Sequence, residues 1–83
     1  MPTVLWVDGF RVVIWPNDHT PPHVHVFSAE AQATIELGDA GRYPRLRENL
    51  RMKPAMLAKA LQVVFEHQAM LTQKWREIHG GLD

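Results

Sequence analysis

Three of the five histidines of the chain lie in one segment, NDHTPPHVHV, which runs from residue 17 to residue 26. His23 and His25 are two residues apart, so on a β-strand their imidazoles point to the same face. His19 precedes them in a loop rich in turn-forming residues. Imidazole binds transition metals through either ring nitrogen, and its pKa near neutrality suits it to proton transfer. The segment is therefore the candidate functional site.

One interpretation of this segment is a metal site. His19, His23 and His25 would be the ligands, and Asp18 is the alternative to His19 as the donor from the loop. The chain has no cysteine, which excludes thiolate ligands and disulfides, so zinc or another imidazole-preferring metal would fit these imidazole and carboxylate donors. A His-x-His pair is by itself a weak motif, because it does not specify the remaining ligands.

A second interpretation is acid–base catalysis on RNA. His23 and His25 would remove and donate protons during phosphodiester cleavage, while His19 orients or replaces one of them. The developing negative charge also needs a cation. Residues 42–53 contain five basic residues and one acidic residue. The candidate phosphate-binding residues in this segment are Arg45, Arg47 and Arg51.

A third interpretation is purely structural. Half-buried histidines of a strand can hydrogen-bond to Asp18, to Glu36 or to the backbone of the loop without binding any ligand. Likewise, a cluster of arginines is commonly a solvated surface. His67 and His79 lie twelve residues apart on the predicted helix and cannot share one metal site there. The residues alone leave the three interpretations open.

The first two strands are predicted from a hairpin signal. Asp8-Gly9 separates the β-branched and aromatic runs TVLWV and FRVVIW and is typical of a tight two-residue turn, with Val7 opposite Phe10. Both faces of this hairpin are rather apolar. Trp6 and Trp15 share the face that a single helix leaves uncovered, so we expect a loop, a second helix or another subunit to bury it.

The next two strands carry the histidines. HVHVF predicts a third strand and AQATIEL a fourth, joined by a short turn around residues 28–30. If this turn has two residues, Glu36 lies opposite His23 and Thr34 lies opposite His25.

The C-terminal half predicts a connector and a helix. Residues 38–53 form a basic connector that leaves room for a short strand around residues 46–50. Pro54 suits a first helical turn, and apolar spacing predicts one long helix over residues 54–79, with a kink near His67 or a projecting end. The expected core residues are Leu5, Val7, Val12, Ile14, Ile35, Leu37, Leu57, Leu61, Val64 and Trp75.

These elements predict an α+β fold: a curved antiparallel sheet of about four strands, in the order β-β-β-β, followed by a long C-terminal helix packed on one face. We expect a single domain over residues 1–83, with the strands and the histidine-proline loop in 1–37, the basic connector in 38–53 and the helix in 54–79. A chain of 83 residues builds only a small core, so a metal or a partner would add to its stability.

The charge is unevenly distributed along the chain, and the hydropathy pattern indicates a cytoplasmic protein. The formal net charge of zero is a cancellation, since one basic residue faces five acidic ones through residue 40, and eight basic residues face four acidic ones afterwards. The N-terminal MPTVLWVDGF lacks the basic region of a signal peptide, and no apolar run reaches the ~18 residues of a membrane span. No membrane partner is expected.

A larger pattern includes the histidine segment. Its positions are Asp8, Gly9, Asn17, Asp18, His19, Pro21, Pro22, His23, His25, Asn49, Leu57 and Trp75. This pattern resembles the bacterial domain-of-unknown-function 4160 family over nearly the whole chain, and the Asn-Asp-His-x-Pro-Pro-His-x-His segment is its specific part. One departure is Arg51-Met52-Lys53, where the family tends to have a glycine and a capping residue, so a weak helix start is expected here.

The resemblance implies no established activity, but it implies a genetic setting. Members are often encoded beside another small domain of unknown function, in pairs that resemble toxin–antitoxin modules. We therefore expect an accessory protein with a cognate small protein from a neighbouring gene as its partner, with RNA as a possible target and with self-association. The alternative is a noncatalytic protein-binding module that uses the Trp6 and Trp15 face, with or without structural zinc.

Overall fold

The computed structural model describes residues 3–39 and 41–79. These residues form β1 (Thr3–Val7), β2 (Phe10–Val13), β3 (His23–Phe27), β4 (Gln32–Glu36), β5 (Arg45–Leu50), α1 (Pro54–Glu66) and α2 (Gln68–Ile78). All neighbouring strands are antiparallel, and their order across the sheet is their order in the chain. The α+β prediction is confirmed, whereas the prediction of four strands and one long helix needs correction.

The hairpin between β1 and β2 has the predicted turn. Asp8 and Gly9 both adopt positive φ, 52° and 83°, as a tight two-residue turn requires. Val7 lies opposite Phe10, and the register is irregular only at the start of β1. The predicted hairpin is therefore confirmed.

The hydrophobic core lies between the sheet and the two helices. Its buried residues are Phe10, Val12, Ile14, Val24, Val26, Ala33, Ile35, Leu37, Met52, Ala60, Val63, Val64, Leu71 and Trp75. Six of the ten predicted core residues are in this cluster, and the other four, Leu5, Val7, Leu57 and Leu61, pack half-buried against it. The core prediction is thus confirmed in its centre and less complete at its margin.

The fifth strand corrects the four-strand prediction and confirms the short strand for which the connector left room around residues 46–50. All six residues of β5 are exposed, and the sequence RLRENL does not alternate between apolar and polar residues. An edge strand of this kind is held by backbone pairing with β4, so hydrophobic periodicity cannot reveal it. Its register shifts between Leu46, opposite Ile35, and Glu48, opposite Thr34. This bulge leaves Arg47 unpaired, and Arg47 lines the same cavity as Glu48.

The break at His67 corrects the prediction of one long helix and confirms the predicted kink near His67. Helix α1 ends at Glu66 and α2 begins at Gln68, with His67 at φ −112° and ψ 16° between them. The buried Gln68 side chain accepts a hydrogen bond from Gly38 N–H (2.7 Å) and donates one to the Arg42 carbonyl (2.8 Å). These bonds tie the segment before β5 to the start of α2. Within the described residues, neither helix is long and apolar enough to cross a bilayer.

Asn49, the penultimate residue of β5, is hydrogen-bonded to Met52 just before the start of α1. Its Oδ1 accepts a hydrogen bond from Met52 N–H (2.9 Å), and its Nδ2 donates one to the Met52 carbonyl (3.0 Å). Arg51 between them has a positive φ of 76°. Lys53 makes no side-chain capping bond, and Pro54 opens the helix. The structure thus agrees with the prediction that Lys53 is a poor capping residue.

Candidate metal centre

Strand pairing places the two strand histidines. Ser28 N–H donates to the Ala31 carbonyl (2.9 Å), which closes a two-residue turn between β3 and β4. His23 consequently lies opposite Glu36, and His25 lies opposite Thr34. The register that the sequence predicted is confirmed.

A turn after β2 places the carboxylate of Asp18. Asp18 N–H donates to the Trp15 carbonyl (3.1 Å), and Trp15 N–H donates back to Asp18 Oδ2 (3.2 Å). Pro16 lies inside this turn, and the Thr20–Pro21 peptide bond that follows is cis. The loop therefore holds Asp18 by two backbone hydrogen bonds instead of leaving it free at the surface.

Asp18, His23 and His25 converge on one point. Asp18 Oδ2 lies 3.4 Å from His23 Nε2 and 3.2 Å from His25 Nε2. One donor atom from each of the three residues lies within 4.8 Å of the others. Their side chains are only 16%, 9% and 17% exposed, respectively. Three electron-pair donors thus share a small, largely buried volume.

The hydrogen bond of His23 defines its tautomer. His23 Nδ1 lies 2.9 Å from the Pro21 carbonyl oxygen. A carbonyl only accepts, so Nδ1 must carry a proton and donate it. In the neutral ring Nε2 then holds a lone pair, and this lone pair faces the carboxylate of Asp18. A cation bound between the two atoms would make that contact attractive.

His25 is less basic than an ordinary histidine. Burial lowers its pKa below 6.5, because removing the imidazolium from water disfavours the charged form. The charge and hydrogen bond of Asp18 raise the pKa and offset this effect only in part. At neutral pH the neutral His25 ring therefore donates its Nε2–H to the Asp18 carboxylate across the 3.2 Å contact. Nδ1 of His25 lies 3.4 Å from the Thr34 hydroxyl oxygen.

The cluster opens into a cavity of about 610 Å³. Its remaining walls are formed by Asn17, His19, Thr20, Thr34, Arg47 and Glu48. The cavity is polar, with an arginine and a glutamate on the wall formed by β5. One side of the cluster is thus accessible to water and small solutes, while Trp75 of α2 packs behind it, 5.3 Å from His23 between ring centroids.

The structure brings together only some of the residues that the sequence singled out. His19 is exposed on the cavity wall, and Asp18, the alternative donor, contacts His23 and His25 instead. Arg47 lines this cavity, whereas Arg51 lines cavities beside Ser28.

Arg45 is exposed at the start of β5 and is not a wall of the histidine cavity. Glu48 was not predicted as a site residue, because the bulge that turns it toward His25 leaves no signal in the sequence. Thr34 was predicted only as the cross-strand neighbour of His25. The alternation of side chains along β4 puts Thr34 on the same face as His25, and this pattern could have identified Thr34 as a site residue.

Comparison with known proteins gives one match. The family described as Domain of unknown function (DUF4160) matches residues 9–76, which include the histidine segment, all strands after β1 and most of the helical region. No curated protein and no solved structure shows significant similarity.

Proposed function

We propose that this chain, which belongs to the DUF4160 family, binds one divalent transition-metal ion of the zinc or iron class through Asp18, His23 and His25. The observation that supports this proposal is the convergence of three donor atoms within 4.8 Å. Two imidazoles and one carboxylate are a frequent ligand set for such ions, and they leave coordination positions open. The open positions would face the cavity.

The hydrogen bonds around the histidines suit metal ligation. Histidine ligands usually donate their second ring N–H to a carbonyl or another acceptor, which fixes the ring. His23 does this through Nδ1 and the Pro21 carbonyl, so its Nε2 is available as a ligand. The lowered pKa of His25 keeps that ring neutral at pH 7, as ligation requires.

Proton transfer by the histidine pair alone is less well supported. In-line cleavage of a phosphodiester needs a base near the attacking oxygen and an acid near the leaving oxygen, on opposite sides of the phosphorus. His23 and His25 instead direct their Nε2 atoms at the same Asp18 oxygen. This arrangement suits one shared cation better than two separated proton-transfer groups.

The cavity wall suggests a substrate class for a metal centre. A bound zinc-class ion supplies a Lewis acid and lowers the pKa of its water to about 7. Arg47 lines the same cavity and is suited to hold an anionic group there. We therefore propose a phosphodiester such as RNA as the substrate, with Arg47 binding phosphate. The toxin–antitoxin pairing and its cognate small protein remain predictions from the family resemblance.

Metal analysis of tag-free protein tests the binding proposal. We expect about one ion per chain in the wild type and substoichiometric metal in Asp18→Ala, because removing one of three ligands weakens the site. His19→Ala is the matched control, since His19 neighbours Asp18 but lies outside the cluster. Equal metal content in Asp18→Ala and the wild type, or no stoichiometric metal in the wild type, would overturn the proposal.

RNA binding tests the substrate proposal separately. With zinc present, Arg47→Ala should weaken binding of a short RNA, because Arg47 lines the cavity of the cluster. Arg51→Ala, which removes an arginine beside Ser28, should change it less. Equal losses in the two variants would indicate a diffuse basic surface. Retained metal with no RNA binding in the wild type would reject the substrate while leaving the metal proposal intact.

A further inference from the structure

The two edges of the sheet have opposite chemical character. β5, at one edge, carries Arg45, Arg47 and Glu48, and charged side chains on an edge strand discourage pairing with another strand. β1, at the other edge, has the sequence TVLWV and carries no charged side chain. Of the two edges, β1 is therefore the one open to strand addition.

Side chains of β1 are incompletely covered. Trp6 is 73% exposed, the highest value among the exposed large hydrophobic residues of the described chain. Leu5 and Val7 are only partly buried and pack at the margin of the core. Trp15 on the neighbouring segment is also 39% exposed. The expectation that a loop or second helix would bury both tryptophans is thus wrong, and the expectation of another subunit stays a prediction.

We propose that β1 pairs with β1 of a second copy of the chain, antiparallel and centred on Trp6, so that two five-stranded sheets join into one. A two-fold axis perpendicular to the sheet keeps every side chain on its own face. An odd-numbered residue must therefore lie opposite an odd-numbered residue of the second copy, and an even-numbered one opposite an even-numbered one. Centring on Trp6 uses Leu5 to Val7, the part of β1 beyond its register irregularity. Leu5 of each copy then lies opposite Val7 of the other copy.

This pairing is favourable on both faces of the sheet. The two copies of Trp6 meet on the face of the sheet that points away from the helices, and aromatic cross-strand neighbours stabilise antiparallel pairs. Leu5 and Val7 meet on the other face, next to the core cluster that they already contact. No like charges approach each other, because β1 has none.

Self-pairing through β5 lacks this compatibility. A symmetric antiparallel pair centred on Arg47 or on Glu48 brings that residue against its own copy, and like charges directly opposite are destabilising. The charge pattern therefore selects β1 over β5 as the self-association edge. The inference concerns assembly and does not depend on the metal proposal.

Analytical ultracentrifugation of the tag-free chain tests the dimer. The wild type should sediment at twice the chain mass of 9.5 kDa. Trp6→Lys, which opposes two lysines at the axis, should sediment as a monomer. Leu46→Lys is the matched control on β5, where Leu46 is 41% exposed, and it should remain dimeric. A monomeric wild type at 100-micromolar concentration, roughly the range of weak specific association, would overturn the proposal.

Hydrogen exchange provides a second test. It uses the wild-type chain, so a misfolded variant cannot produce the result. The amides of β1 that point away from β2 should exchange slowly in concentrated protein, while the outward amides of β5 exchange quickly. Equal and fast exchange at both edges would contradict pairing through β1. Circular dichroism of Trp6→Lys should match the wild type, since the substituted side chain is mostly exposed.

Discussion

His67 and His79 on the helices and His23 on β3 make the same hydrogen bond through Nδ1, but the surroundings of their Nε2 atoms differ. His67 Nδ1 donates to the Val63 carbonyl (3.0 Å), and His79 Nδ1 donates to the Trp75 carbonyl (2.9 Å), each at the C-terminal end of a helix. His23 Nδ1 likewise donates to a carbonyl, that of Pro21. Among residues 3–39 and 41–79, only the two β3 imidazoles direct their Nε2 atoms at one carboxylate, that of Asp18.

This difference separates a capping role from a binding role. On the helices, the first hydrogen bond satisfies a terminal carbonyl, which is a structural task. On β3, the two-residue spacing of His23 and His25 repeats the direction of the side chain, so two nitrogen atoms meet. Both regions use histidine. The direction of its Nε2 atom decides whether the histidine only caps a helix or can also bind a metal ion.

The largest predicted effect compares one histidine from each region. His25→Ala should weaken zinc binding by more than about 100-fold, because a ligand is lost. His67→Ala should leave the zinc affinity unchanged. Isothermal titration of both variants at pH 7.5 measures this difference. Similar losses in both variants would mean that the metal is not held by the β3 cluster.

A smaller effect should follow from the neighbour of His25. Thr34→Val removes the hydroxyl group that lies 3.4 Å from His25 Nδ1 but keeps the shape of the side chain. Loss of a group that orients a ligand typically weakens metal binding by about 10-fold. A competition assay with a zinc-binding dye is sensitive enough to detect this change. An unchanged affinity would show that Thr34 does not orient the ring.

The helix histidine should reveal itself in stability instead. His67→Ala removes the hydrogen bond to the Val63 carbonyl and should lower the free energy of unfolding by about 1 kcal/mol. Urea denaturation of the metal-free protein measures the change. Wild-type stability in this variant would remove the capping role that the comparison assigns to His67.

Acidification should produce a further, modest effect through His25. Its pKa is lowered in the folded protein, so below pH 6.5 the unfolded chain binds a proton that the folded chain resists. The metal-free protein should therefore lose stability as the pH falls below 6.5, and the contribution of His25 vanishes above that pH. His25→Gln should lose less stability between pH 7 and pH 5. An equal loss in both proteins would contradict the burial effect.

Local sequence patterns were sufficient for the strands around the site. The Asp8-Gly9 turn and the two-residue turn after β3 set the register directly, so the pairing of His25 with Thr34 was predictable. The position of the Asp18 carboxylate was harder to predict. Its carboxylate reaches His23 and His25 because a turn folds back onto Trp15, and sequence spacing alone did not distinguish Asp18 from His19 as the third donor.

Two features that the sequence indicated only as alternatives, the short strand in the connector and the helix break near His67, depend on long-range contacts. β5 is exposed throughout, so only its backbone pairing with β4 defines it as a strand. The helix break at His67 coincides with Gln68, whose partners Gly38 and Arg42 lie 30 and 26 residues away in the chain. Hydrophobic spacing carries no information about such polar contacts, so it indicated one helix with a kink near His67 or a projecting end, whereas the structure has two helices that meet at His67.

Nitrogen-15 NMR of the histidine side chains tests the central claim most directly, because it reports each ring nitrogen separately. On addition of one equivalent of zinc, Nε2 of His23 and Nε2 of His25 should take the shifts of metal-bound nitrogen, and Nδ1 of His23 should stay protonated. His67 and His79 should keep their spectra. Zinc-induced shifts in the helix histidines with none in the β3 pair, or no histidine shift at all, would contradict the assignment of the metal centre to Asp18, His23 and His25.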